Sequence, residues 1–205
     1  MILKVCGMRE AENIRAVEAT KPDAMGFIFY PRSPRYVSEV PAYLPAAGIR
    51  RVGVFVNASI ETIAEKVKDF GLHTLQLHGD ESPEYCQQLR QHFPGLRLIK
   101  AFSIGKLEDL QKLRGFGGKV DLFLFDTPFG GFGGSGVKFD WTILDNYRGP
   151  APFLLSGGIS MDDAEHLRNY EHPLFIGVDL NSRFETAPAV KDPEQLQEFF
   201  KLLRP

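Results

Sequence analysis

Thr74-Leu-Gln-Leu77, His78-Gly-Asp-Glu-Ser82-Pro-Glu-Tyr-Cys-Gln-Gln-Leu-Arg90 and Arg97-Leu-Ile-Lys-Ala-Phe102 follow one another as strand, helix and strand. The outer two pieces are short apolar runs, while the middle piece begins with a serine and a proline ahead of a helical pattern. Ser82 is suited to accept the first free N–H groups, and Pro83 sits where a missing N–H costs nothing. Two strands joined through a helix pair in parallel. Working outward, similar runs occur at Ile2 to Cys6, Ala24 to Phe29, Arg51 to Val56, Asp121 to Asp126, Pro152 to Leu155 and Leu174 to Val178. Helix-start signals recur at Ser59 and at Asp192-Pro193-Glu194. Eight strands alternating with helical segments predict an α/β protein closed into a (β/α)8 TIM barrel. The competing open doubly wound sheet carries its ligand where the strand order reverses near the first strand, whereas the glycine-rich loops here follow runs six, seven and eight.

Composition narrows the class. A chain of 205 residues with 43% hydrophobic and 24% charged residues is expected to be one domain spanning 1–205, large enough to bury a core without disulfide or metal. The two cysteines, Cys6 and Cys86, form no metal-binding or disulfide pattern, which fits a reducing cytoplasm. The net charge is −2 and the basic residues are scattered, so neither nucleic acid nor a membrane surface is an expected partner. No apolar stretch at the start is long enough for a signal or a membrane helix. The five histidines lack ligand spacing, so no metal is expected.

In such a barrel the chemistry lies at the C-terminal strand ends. Those ends carry Cys6, His78 and Asp126, with Arg35 in the segment after the second run. Ser156-Gly157-Gly158 follows the seventh run, and Leu180-Asn181-Ser182 the eighth. Asp126 shares strand parity with Leu122 and Leu124, so its carboxyl is expected to point inward at the rim, with a loop-capping carboxylate as the alternative. Cys6 shares parity with Ile2 and Lys4 and projects into the mouth, either as an inert core thiol or as a reactive one. Lys4, ~6.6 Å below it at a rise of ~3.3 Å per residue, is close enough to favour the thiolate, unless it is held in a core ion pair. His78 either touches substrate or bonds a neighbouring loop. Gly157 and Gly158 suit a phosphate gripped by backbone N–H groups, or merely a tight turn. Gly131 to Gly136 matches GxGxxG but lies after the sixth strand, so it reads as an accidental match within a glycine-rich loop over a ligand.

Taken in order, Lys4-Val-Cys-Gly7, Pro34-Arg35-Tyr36-Val37-Ser38, Leu75-Gln-Leu-His-Gly79, Phe125-Asp126, Gly133-Gly-Ser-Gly-Val-Lys-Phe-Asp-Trp141, Leu155-Ser-Gly-Gly-Ile159 and Gly177-Val-Asp179 resemble the phosphoribosylanthranilate isomerases of tryptophan biosynthesis. The resemblance runs from residue 2 to about 203 and rests on the combination of motifs. It implies an Amadori rearrangement without cofactor, with Cys6 as general base, Asp126 as general acid and Arg35 on the anthranilate carboxylate. It further implies a phosphate on backbone groups around Gly157, Gly158, Asn181 and Ser182, in a monomer or homodimer. Lys4 and His78 are expected as additional substrate-side residues. Two departures stand out: Asn181-Ser182-Arg183 replaces two serines and a glycine, and Ala189 stands where glycine often precedes Val-Lys-Asp. Arg183 there implies either a strained turn or an added charge for the phosphate. Another phosphosugar isomerase, expected to use two carboxylates, and a non-catalytic phosphometabolite-binding barrel are the rival readings.

Overall fold

The computed structural model describes residues 1–126 and 141–204. Eight parallel strands close into one barrel in chain order: β1 Ile2–Cys6, β2 Ala24–Ile28, β3 Arg50–Phe55, β4 Thr74–Leu77, β5 Arg97–Ser103, β6 Leu122–Asp126, β7 Phe153–Ser156 and β8 Phe175–Leu180. The expected strands are all present. The glycine-rich loop and its GxGxxG match, with Gly133 to Asp140 of the quoted motif, lie outside the described residues.

Closure divides each strand into two faces. Ala24, Val52, Ile99, Ala101, Leu122, Leu124 and Leu154 point inward and fill the barrel. The alternate residues, among them Leu3, Val5, Phe27, Leu75, Phe123, Phe125 and Val178, pack outward beneath the helices. Phe125, Phe153 and Tyr147 meet at 4.9 to 5.5 Å in that outer layer. Burial of each such side chain contributes roughly 1.5–3 kcal/mol.

Three of the five α-helices among the described residues start where the sequence signals them, at Ser59, Ser82 and Asp192. The α1 helix covers Ala11–Glu18, α2 Ile60–Phe70, α3 Pro83–His92, α4 Ala164–Asn169 and α5 Pro193–Leu203. Ser59, Ser82 and Asp192 cap α2, α3 and α5 by accepting backbone N–H groups of the first turn. Among the described residues, regular α-helical crossovers are replaced in three places. Between β2 and β3 the chain forms no helix, because Pro31, Pro34, Pro41 and Pro45 interrupt the donor series. After β5 the connection contains a 3₁₀ turn at Leu107–Leu113, and another at Trp141–Asn146 precedes β7. Beyond β8, a 3₁₀ turn at Ser182–Phe184 leads into an antiparallel pair, β9 Glu185–Ala187 and β10 Val190–Lys191.

The closing seam joins β8 to β1, with Ile2 opposite Gly177 and Lys4 opposite Asp179. At Gly177 a Cβ would lie 2.1 Å from the Ile2 carbonyl oxygen, a backbone atom fixed in the ladder. Gly177→Ala is therefore expected to destabilise the protein by about 3 kcal/mol or more. A urea midpoint within error of the unaltered protein would refute that reading of the seam.

Candidate active site

The strand ends open onto one cavity of about 310 Å³. Cys6 on β1, Gln76 on β4 with His78 just beyond it, and Asp126 on β6 form one part of its wall. Ser156, Gly157 and Gly158 after β7, with Asn181, Ser182 and Arg183 after β8, form another. Arg35, brought back by the segment after β2, completes the mouth. Residues far apart in the chain thus share one space because closure aims every inward rim position at the barrel axis.

Lys4 is the exception among the expected site residues. It is 1% exposed, lies one inward layer below Cys6 and does not line the cavity. Its ammonium is 2.7 Å from Asp179 on the paired strand. Burial pulls the Lys4 ammonium down, but Asp179 and Cys6 outweigh that and hold it above its ordinary value. Lys4, expected on the substrate side, is thus placed in a core ion pair below the cavity. Its expected effect on Cys6 has the right direction and too little strength: burial pushes the thiol up, Lys4 and Lys191 pull it down, and Asp179 cancels part of that pull. The balance therefore favours the neutral Cys6 thiol over the thiolate. Removing one partner of a buried pair strands the other's charge, so Lys4→Met is expected to cost about 3–5 kcal/mol. The same variant should move the Cys6 thiol titration further upward, and a downward move would disprove the assigned electrostatics.

Arg35 is anchored by Glu185 on β9, whose carboxylate accepts from Nε at 2.8 and 3.0 Å and from Nη2 at 2.6 Å. This leaves Nη1 for a further acceptor. Glu185 also accepts from Lys191 at 2.5 Å and from the Ala189 N–H at 3.1 Å. Burial pushes the Glu185 carboxyl up, but the bonds from Arg35 and Lys191 outweigh it and hold the group below its ordinary range. Lys191 also donates to Asn181 Oδ1 at 2.7 Å. Gly7 makes room for this cluster: its φ is +79°, and a Cβ there would come within 2.8 Å of the Arg35 side chain and 3.0 Å of Asn181 Oδ1.

At the other end, Gly157 and Gly158 have φ of +88° and +69°. The first N–H groups of the Ser182–Phe184 turn have no partner within the turn itself. Arg183 is exposed, lines the cavity and is not among the residues with positive φ, so it adds charge without strain. The strain sits at Ala189, buried at φ +68° in the turn between β9 and β10. No group of three or more His, Cys, Asp or Glu residues among the described ones is arranged to hold a metal.

The sequence reading gave no role to Gln76, Asp179, Glu185 or Lys191. Three of these stand inside motifs already quoted or beside them, in Leu75-Gln-Leu-His, Gly177-Val-Asp and Val-Lys-Asp. Glu185 carries no local signal.

With the geometry set out, the chain matches the family model described as N-(5'-phosphoribosyl)anthranilate (PRA) isomerase over residues 3–202. The chain belongs to this family. A curated N-(5'-phosphoribosyl)anthranilate isomerase from Phocaeicola vulgatus is 52% identical over 204 residues, covering 100% of this chain and 98% of that one. Among solved structures, monomers of the dimeric phosphoribosylanthranilate isomerase of Thermotoga maritima superpose with a TM-score of 0.82 at 28% identity, covering 100% of this chain and 99% of that one. A phosphoribosyl anthranilate isomerase in complex with reduced 1-(o-carboxyphenylamino)-1-deoxyribulose 5-phosphate gives 0.79 at 29% identity with the same coverage. No helix among the described residues is long and apolar enough to cross a membrane.

For an L-residue the left-handed region costs about 1–2 kcal/mol, and glycine's greater freedom in the unfolded chain returns part of that. Ala189→Gly should accordingly stabilise the protein by about 0.5–1 kcal/mol at unchanged denaturant slope. A lower denaturation midpoint would contradict the strain assigned to this turn.

Proposed function

We propose that the chain catalyses the family's reaction in tryptophan biosynthesis with Cys6 as general base and Asp126 as general acid. The substrate is N-(5'-phosphoribosyl)anthranilate, and the product is 1-(2-carboxyphenylamino)-1-deoxyribulose 5-phosphate. The observation that carries this reading is the opening of a thiol from β1 and a carboxyl from β6 onto a single cavity. Small-residue loops suited to a phosphate border the same space.

The Asp126 carboxyl gives its proton to the furanose ring oxygen as the C1–O bond breaks. The anthranilate nitrogen lone pair forms the C=N bond of an iminium. Cys6, once its thiol proton has passed to solvent, removes the C2 proton as thiolate; the C–H electron pair becomes the C1=C2 bond of an enolamine and the C=N π pair returns to nitrogen. Tautomerisation then adds a proton at C1 while the C2 hydroxyl gives one up to form the ketone, and proton exchange with solvent restores the Asp126 carboxyl. Atoms and electrons are conserved, and the scheme calls on no cofactor.

The preference for the neutral thiol bears on the order of events. A thiolate in this buried place is disfavoured until positive charge develops nearby, and the iminium supplies that charge only after the ring opens. Acid therefore precedes base. Arg35, held in a bidentate grip by Glu185, is assigned to the anthranilate carboxylate. Gly157, Gly158, Asn181 and Ser182 are assigned to the phosphate through backbone groups, with Arg183 adding a cation beside them. The chain is taken to work as a single domain spanning 1–205, as monomer or homodimer, in the cytoplasm.

Cys6→Ala and Asp126→Asn should each lower kcat by about 10²- to 10⁴-fold with freshly prepared substrate, followed through the loss of anthranilate fluorescence. Turnover near that of the unaltered enzyme in either variant would remove that residue from the scheme. Binding without fluorescence loss in the unaltered protein would leave only a phosphometabolite-binding barrel.

A further inference from the structure

Gln76 is a polar residue in an apolar girdle. It points inward from β4, is 1% exposed, and its Cα partners on the neighbouring strands are Val54 and Ile99. Its Nε2 lies 3.1 Å from Nδ1 of His78, two residues further along the same face. Its Oε1 is buried without a partner among the described residues. A side-chain amide so placed has one structural bond, and that bond goes to an imidazole at the cavity wall.

An amide nitrogen only donates, so Nδ1 of His78 must accept, and the imidazole proton resides on Nε2. The Nε2 atom lies 3.5 Å from Oδ2 of Asp126. The backbone that carries His78 is fixed on both sides. Its N–H donates to the Phe55 carbonyl at 2.8 Å, and the Gly79 N–H donates to Glu81 at 2.9 Å. Lys100, buried beside Glu81 at 3.3 Å, donates to the Gly79 carbonyl at 2.7 Å. Besides Asp126 from β6, the ionisable groups among the described residues that line the same cavity with His78 are Cys6 from β1, Tyr30 and Arg35 after β2, Asp179 from β8 and Arg183 beyond it.

We propose that Gln76 is a positioning residue for the isomerisation: it fixes His78 in the Nε2–H tautomer, so that His78 donates to Oδ2 of Asp126 and leaves the acid proton on Oδ1. This inference rests on the assignment of Asp126 as the acid. With the opposite tautomer, Nε2 would accept, and the Asp126 proton would be held in a bond to histidine and withheld from the ring oxygen. With the tautomer that Gln76 enforces, Oδ2 is already occupied as an acceptor. The carboxylate left after proton transfer keeps a donor. The 3.5 Å separation is long for such a bond, and the proposal requires it to tighten in the substrate complex, as catalytic hydrogen bonds commonly do.

The test combines ¹⁵N-histidine spectra of the full-length protein with steady-state kinetics, the His78 signals being assigned by their loss in His78→Asn. In the unaltered protein, Nε2 of His78 is expected as the protonated ring nitrogen and Nδ1 as the bare one. This measurement needs no variant at the tested position, and a protonated Nδ1 in neutral His78 would overturn the proposal outright. Gln76→Leu should give mixed tautomers and lower kcat about tenfold or more, with KM changed less than about twofold. Gln76→Glu, whose carboxylate accepts from Nδ1–H, should move the proton to Nδ1 and lower kcat similarly. A folded Gln76→Leu variant with kcat within about twofold of the unaltered enzyme would overturn the proposal. Failure of the underlying assignment is separately visible, because an active Asp126→Asn removes the acid while leaving the tautomer result as measured.

Discussion

Closure of the sheet between its first and last strands is the constraint on which the rest of the molecule depends. At that seam Lys4 and Asp179 face each other as register partners and bind at 2.7 Å within the barrel. Gly177 meanwhile lets β8 lie against the Ile2 backbone. Two charges inside a protein gain from each other only when their geometry is good and their remaining bonding capacity is used. The pair is therefore tied to one register of β8 against β1. A slip of one residue would turn Asp179 toward the phenylalanine-rich outer layer and leave Lys4 unpaired.

The seam also sets the electrostatics of the cavity above it. Cys6 is one inward layer higher than Lys4, and its thiol senses burial, Lys4, Asp179 and Lys191 together. Because the Lys4 charge is already shared with Asp179, the balance favours the neutral thiol. The second cluster, formed by Arg35, Glu185, Lys191 and Asn181, works on the same economy of charge: a buried carboxylate holds two cations in fixed places and leaves one face of the guanidinium for a ligand. A third cluster, Lys100 with Glu81, pins the loop that carries His78. Each of the three lies beside the cavity and holds a wall residue or its backbone in place.

The readable part of the fold was the local part. Eight apolar runs, the caps at Ser59, Ser82 and Asp192, and the proline at the start of α3 and α5 are short-range signals, and the structure places strands and helices where they point. Parity along single strands correctly put Cys6 and Asp126 on the inward rim. The missing helix between β2 and β3 could also have been read, since four prolines fall in that segment. Lys4 shows where the local argument ends. Its distance from Cys6 was legible, but its neutralisation by a residue 175 positions away was not. Glu185 is similar: nothing around it marks it as the anchor of Arg35, 150 positions earlier.

By itself the sequence determined the eight-strand series, the shared facing of Lys4 with Cys6 and of Leu122 and Leu124 with Asp126, and the motifs that identify the family, because all of these depend on neighbours within a few residues. Only the tertiary structure decided which charges are paired, that the balance at Cys6 favours the neutral thiol, that Gln76 bonds His78 beside Asp126, and that backbone strain falls on Ala189 and spares Arg183. Those outcomes depend on distances across the barrel and on how far each charge is removed from water, and such quantities come into existence only when the eighth strand closes on the first.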